Sequence, residues 1–343
     1  MFQLVHPPAL DWDAIARRLT GAVKAQPGEK VLIRAHRSYF REVTSRVAKS
    51  LHATAIDDAR PLPSLDGYDI FYWMPLGDSG RQLTPAERQA VAKWLDGGGR
   101  RRSIHFHWAE GSRRTDGTQA AHTPELDAMY ARALDIDYAA LSSNMDRAIR
   151  FFRQGTVRIL TPQGTDLMFR TGLRPWNKQN GDMSGERALA ARMRVDREIE
   201  YPAGVLRVAP IEMTPHGRLA LPEMRVGDTV ARKVSLLFDN GRISRVSAET
   251  GQDAIEAYLK QNGDSAFQFR EFALGFNPKL ELFDGGQTIP YFGYGAGVVR
   301  VSLGDNEELG GTIRGGFSRW FFLPDASVHV DNRYFVRNGK LVP

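Results

Sequence analysis

This sequence predicts two architectures in succession. An open, doubly wound α/β layer is expected over residues 1–150, and a β-rich α+β domain over residues 151–343. Three observations predict this. Strand-like and helix-period segments alternate up to about residue 150, which is the pattern of a sheet covered by helices. From Thr156 onward, short β-branched and aromatic runs are joined by turn residues. The 343 residues also exceed one ordinary hydrophobic core and are enough for two.

In chain order, Asp11 is a helix cap, and Ile15, Leu19 and Val23 recur at a spacing of four up to Lys24. Pro27-Gly28 breaks that helix before a short strand at Lys30–Ala35. Phe40, Val43, Val47 and Leu51 mark an amphipathic helix. Tyr68–Leu76 is apolar almost throughout, as expected of a parallel strand covered on both faces. Thr84-Pro85-Ala86-Glu87 forms a capping box with proline at the first helical position, and Gly97-Gly98-Gly99 stops the helix. Ser103–Trp108 reads as a strand, and Thr123-Pro124 opens a helix through Met129 and Leu134.

The second half reads as hairpins. Val157–Leu160 and Leu167–Arg170 flank Pro162-Gln163-Gly164; Leu206–Met213 and Leu219–Leu221 flank Pro215-His216-Gly217; Val234–Phe238 and Ile243–Ala248 flank Asp239-Asn240-Gly241. A helix falls near Ala254–Leu259, further strands at Phe269–Leu274, Val298–Leu303 and Val328–Val330, and a last turn at Asn338-Gly339. The polar stretch Pro175–Glu186 is expected to be a mobile loop.

With 42% hydrophobic and 25% charged residues, wholesale disorder is excluded. The formal charge of +6 does not single out nucleic acid, because basic residues are interleaved with acids. The densest runs are only Arg100-Arg101-Arg102 and Arg113-Arg114, so a solvated basic surface suited to acidic peptides or small anions is expected, with no nucleic-acid partner. The absence of cysteine excludes disulfides, thiolate metal sites and a cysteine nucleophile. Met1–Pro8 lacks a basic segment followed by an apolar core, and no apolar run approaches the roughly 20 residues that span a bilayer. A soluble, cytoplasmic protein with no membrane partner is the expectation.

The candidate chemistry centres on Ser327-Val328-His329-Val330-Asp331. Along a strand, residues two apart share a side, so His329 and Asp331 are expected to present imidazole and carboxylate together to a divalent metal. Glu212 and Glu271 lie in other strand-like runs and are expected to meet them in one pocket. His105 and His107 also share one side of a strand. They are either a metal pair without a third ligand nearby in sequence, or histidines bonded to backbone or lining a cleft. Gly293-Tyr294-Gly295-Ala296-Gly297 precedes a strand and no helix, so it lacks the helix terminus of a nucleotide loop.

Five segments, in order, resemble the thermophilic metalloaminopeptidase family, the aminopeptidase T and aminopeptidase S group. They are Thr161-Pro162-Gln163-Gly164-Thr165-Asp166-Leu167; Pro202-Ala203-Gly204 with Ala209-Pro210-Ile211-Glu212; Glu271-Phe272-Ala273-Leu274-Gly275-Phe276-Asn277-Pro278; Gly297 to Asn306; and Val328-His329-Val330-Asp331. Pro27-Gly28-Glu29-Lys30-Val31-Leu32-Ile33 fits more loosely. The resemblance implies the family's fold and two divalent metals, with Glu212, Glu271, His329 and Asp331 as ligands. The fifth ligand should be a histidine, and this chain has Arg300 there, whose guanidinium has no lone pair to offer. A further glutamate expected after Pro-Ala-Gly is Val205.

Three functions follow from the resemblance. The first is a metal-dependent hydrolase of a peptide or small amide, using one or two zinc, cobalt or manganese ions. Its working residues would be Glu212, Glu271 and Arg300, with Arg300 anchoring the substrate. The second is a metal-free, non-catalytic protein that binds a peptide and presents it to a partner enzyme, with Arg300 paired to Glu212 or Glu271. The third is a mononuclear iron ring-cleaving dioxygenase, against which the missing histidine at position 300 counts. The family implies a homodimer.

Overall fold

A computed structural model describes residues 10–36, 38–76, 82–108 and 110–343; the reading of Met1–Pro8 falls outside them. The chain forms two units. One comprises Met1–Ser112, Ala120–Tyr138 and Gln179–Ala203, the other Arg113–Gln119, Ala139–Lys178 and Gly204–Pro343.

The first unit is built on a parallel sheet of β1 (Val31–Ala35), β2 (Thr54–Asp57), β3 (Ile70–Met74), β4 (Arg102–His105) and β8 (Glu198–Glu200), ordered β2-β1-β3-β4-β8. That is the 2-1-3-4-5 order of a doubly wound layer, whose ligands gather outside the carboxyl ends of the strands. Its helices are α1 (Trp12–Val23), α2 (Arg41–Leu51), α3 (Pro85–Asp96), α4 (Pro124–Ala133) and the short α6 (Gly185–Leu189). Local signals explain the first and third. Asp11 accepts a hydrogen bond from the Ala14 amide at 2.8 Å. The α1 stripe of Ile15, Ala16, Leu19 and Val23 is buried, and Lys24 in the left-handed region closes the helix. Thr84 and Glu87 form the expected reciprocal cap, with Pro85 at the first position of α3. Leu32, Leu65, Phe71, Leu83, Val91, Trp94 and Leu95 pack as one apolar cluster.

The second unit holds two further sheets. One has eight strands in the order β12-β11-β10-β6-β5-β16-β17-β18. These are β5 (Thr156–Leu160), β6 (Asp166–Arg170), β10 (His216–Val226), β11 (Thr229–Asp239), β12 (Arg242–Ser247), β16 (Ser327–Val330), β17 (Arg333–Arg337) and β18 (Lys340–Leu341). The other runs β15-β14-β13-β9-β7, through β15 (Ser318–Leu323), β14 (Val299–Gly304), β13 (Phe269–Gly275), β9 (Val205–Val208) and β7 (Asn177–Gln179). Two helices, α5 (Tyr138–Phe152) and α7 (Gln252–Gln261), complete the elements. Phe152, Phe169 and Phe272 are buried, with ring centroids of Phe169–Phe272 and Phe152–Phe272 at 5.1 and 5.5 Å. Each such side chain stabilises the fold by about 1.5–3 kcal/mol through area removed from water. Asn240 and Gly241, both at positive φ, form the two-residue β11–β12 turn.

The structure departs from expectation at several places, beginning with β2 and α5, where the sequence reading places no strand and no helix. No single cut at residue 150 divides the chain, because β8, supplied by the second half of the sequence, pairs with β4 and completes the parallel sheet. Leu206–Met213 and Leu219–Leu221 do not form a hairpin: β9 stops short of Pro210 and pairs with β13, while β10 pairs with β6 and β11. The stretch expected to be a mobile loop is folded; Trp176, Asn177, Gln179, Met183 and Ser184 are buried, and the Ser184 hydroxyl caps α6. Finally, β4 ends at His105, so His107 lies just beyond the strand. Among the described residues no helix is long and apolar enough to cross a membrane.

Candidate functional sites

In the second unit, strand register places the candidate residues. Ala273 on β13 pairs with Arg207 on β9 and with Arg300 on β14, forming one row across three strands. Glu271 precedes Ala273 by two and shares its side of the sheet. The small Ala273 leaves room between the two arginines for the Glu271 carboxylate. A register shift between Phe269 and Glu271 marks a bulge. Such a bulge re-aims the side chains of its strand, and here Arg270 reaches the same carboxylate.

The result is a buried ionic cluster. Arg207 donates to Glu271 from Nε at 2.9 Å and from Nη2 at 3.1 Å, and Arg300 Nη2 donates to Glu271 Oε1 at 2.6 Å. Arg270 Nη1 donates to Glu271 Oε2. Glu308 accepts from Arg207 at 2.8 Å and from Arg270 at 2.5 Å. The Glu271 side chain is wholly excluded from solvent. Burial alone would push its carboxyl pKa up, but the fields of Arg207, Arg300 and Arg270 outweigh burial and hold it well below the ordinary range. The same charges, Glu271 and Glu308, hold the Arg207 guanidinium well above its ordinary value against the effect of burial.

Arg300 is spent inside this cluster. Its Nη1 donates to the Phe292 carbonyl at 3.0 Å, and its guanidinium lies 5.3 Å from the Trp320 ring centroid. At 3% exposure it is not placed to anchor a substrate from solvent.

The other expected ligands are engaged elsewhere. Glu212 lies beyond the end of β9, ion-paired with Arg174 and accepting from the Thr312 amide at 3.0 Å. Burial raises its pKa, but backbone hydrogen bonds, its own and that of Thr312, together with Arg174, bring it below the ordinary value. His329 sits on β16 of the eight-stranded sheet and donates from Nδ1 to the Asp331 carbonyl. The alternation argument for His329 and Asp331 fails because β16 ends at Val330 and Asp331 takes positive φ in the turn beyond it. Glu212, Glu271, His329 and Asp331 are therefore not brought together as a donor set. A metal beside Glu271 would meet three guanidinium groups, none with a lone pair. These residues do not fit the paired metals that the resemblance implies.

A different donor set forms in the first unit. Trp73 on β3, His105 on β4 and Glu200 on β8 are register partners in one row. In adjacent parallel strands such partners face one side, here at the carboxyl ends. His105, His107 and Glu200 each offer a ligand atom, all within 4.8 Å of one another. Among the described residues they are the only group of three or more such side chains. His105 Nδ1 lies 3.5 Å from Glu200 Oε1, and His107 Nε2 lies 3.8 Å from Glu200 Oε2. The opposite ring nitrogens are held: His105 Nε2 is 2.9 Å from Ser103 Oγ, and His107 Nδ1 donates to Glu110 Oε1. The Trp73 indole contacts both imidazoles edge-on, at 5.3 and 4.8 Å. The histidine pair is legible from its spacing of two; nothing in the sequence ties Glu200 to it.

By sequence, no protein-family model and no curated protein matches this chain. Solved structures do. The 2,5-dihydroxypyridine dioxygenase from Pseudomonas putida superposes with a TM-score of 0.65 at 16% identity, covering 96% of each chain. AmpT from Thermus thermophilus superposes with a TM-score of 0.61 at 14% identity, covering 97% of this chain and 98% of that one. At such identity the likeness establishes the fold alone: a mixed α/β architecture, with one parallel and two largely antiparallel sheets in this chain, that resembles both structures along nearly the whole chain.

Proposed function

We propose that this chain binds a peptide or peptide-like amide on an aminopeptidase-like fold and does not cut it with a metal centre in its second unit. The observation that carries this reading is the Glu271 carboxylate, closed off by Arg207, Arg270 and Arg300. Replacing a ligand histidine by a guanidinium removes a lone pair and adds the positive charge that a lost metal would have supplied. Removing either sign would then leave an uncompensated buried charge, so the cluster is self-maintaining without catalysis. The class of ligand rests on the shared fold and on the net positive charge, which favours acidic peptides. The ring-cleaving alternative lacks the histidine at position 300 that the resemblance requires.

The test is a panel of di- and tripeptides, followed by calorimetry and by product analysis with and without chelator. The reading expects saturable binding without hydrolysis. Turnover that is abolished by chelator and by loss of Glu271, but retained by a Glu200→Gln variant, would overturn it. A second reading, a metal-dependent hydrolase of the same ligand class, is favoured by one observation: the His105, His107 and Glu200 donors in the first unit. Chelator-sensitive turnover lost in Glu200→Gln would select it.

A further inference from the structure

We infer that His105, His107 and Glu200 form a binding site for one divalent transition-metal ion of the zinc class, at the carboxyl ends of β4 and β8. The inference stands on the first unit alone and does not depend on the peptide-binding reading.

Four observations carry it. First, the spacing suits a metal. Zinc–nitrogen distances of about 2.0–2.1 Å and zinc–oxygen distances of about 2.0–2.2 Å put neighbouring donors of a tetrahedral site about 3.3 Å apart. The facing pairs here lie at 3.5 and 3.8 Å, and all three ligand atoms lie within 4.8 Å of one another, close enough to draw in around one ion. Second, the donor type selects the metal. Two imidazoles and one carboxylate suit zinc, cobalt or iron(II) better than calcium, magnesium or manganese, which favour oxygen ligands.

Third, both rings are oriented from behind. His107 gives its Nδ1 proton to Glu110, which leaves the Nε2 lone pair turned toward the Glu200 carboxylate. Ser103 Oγ lies 2.9 Å from the far nitrogen of His105 and holds that ring in orientation. Partners of this kind fix the ring orientation and raise ligand basicity in metal sites. Fourth, the site has a defined wall. Trp73, held in register beside His105, packs its ring edge-on against both imidazoles. The three side chains leave one or more coordination positions for water or a ligand group, as in zinc sites that do chemistry.

The experiment uses the full chain, stripped with chelator and titrated with Zn2+ by calorimetry and with Co2+ by visible absorption. The expected result is one ion per chain and the d–d spectrum of four- or five-coordinate cobalt with nitrogen and oxygen ligands. His107→Ala and the near-isosteric Glu200→Gln should each lose binding, and Glu110→Gln should weaken it by roughly 10–100-fold. His329→Ala should leave it unchanged. Circular dichroism and thermal melts establish that each variant is folded. If His107→Ala fails to fold, Glu200→Gln decides. Failure of the folded wild-type chain to bind either ion overturns the inference. So does binding that survives in Glu200→Gln and His107→Ala but disappears in His329→Ala.

Discussion

The two units each bring carboxylate and nitrogen side chains together, and they do so with opposite consequences. Around Glu271 the nitrogens belong to three guanidinium groups, always charged and without lone pairs. Around Glu200 they belong to two imidazoles, each able to present a lone pair while its other nitrogen is held by Glu110 or Ser103. The first arrangement is electrostatically complete and excludes a cation. The second offers donor atoms that a cation can take up. Which nitrogen base stands beside a carboxylate decides between a structural ion cluster and a site that takes a ligand, even though both lie at strand positions fixed by register.

The largest contrast should appear on removing the central carboxylates. Glu271→Ala leaves buried positive charges uncompensated and should cost about 3–5 kcal/mol, read from urea unfolding. Glu200→Ala should cost about 1 kcal/mol in the metal-free protein and instead remove metal binding. Equal losses in the two variants would break the contrast.

The acid limb of stability sharpens it. Glu271 has a folded-state pKa well below that of an unfolded glutamate, about 4.3. Its stabilising contribution is therefore complete above that pH and is lost as pH falls through the depressed value. Unfolding midpoints between pH 7 and pH 3 should fall for the wild type. They should fall less steeply in a Glu271→Gln variant, which no longer takes up that proton. A slope unchanged by the substitution would mean that the guanidinium groups do not hold this carboxylate ionised.

A smaller effect is expected at Glu212. Arg174→Ala should cost about 1 kcal/mol by releasing the carboxylate that also accepts from Thr312. The smallest belongs to His329→Ala, whose ring lies against Tyr334 and donates to a backbone carbonyl; a change within about 0.5 kcal/mol is expected.

Much of the fold was legible because its signals are local. The Asp11 and Thr84 caps, the Asn240-Gly241 and Asn338-Gly339 turns, and the alternation of strand and helix through β4, apart from β2, all rest on neighbours in sequence. What escaped was carried by pairing between distant segments. β8 is three residues long, too short for a periodicity signal, yet it finishes the parallel sheet and supplies Glu200. Arg207 and Arg270 drew no notice, because only the β9–β13–β14 register and a bulge aim them at Glu271. The pairing of Arg300 with Glu271 was one of the two arrangements weighed for a metal-free site, since it follows from charge compensation alone. The His329–Asp331 pair misled because alternation holds only inside a strand, and this strand ends between them.

The most direct test of this account is anomalous scattering at the zinc edge from crystals of the chain grown with stoichiometric zinc. One peak among His105 Nδ1, His107 Nε2 and Glu200, with none beside Glu271, is the predicted result. A peak coordinated by Glu271 and His329, with the arginines turned aside, would contradict it.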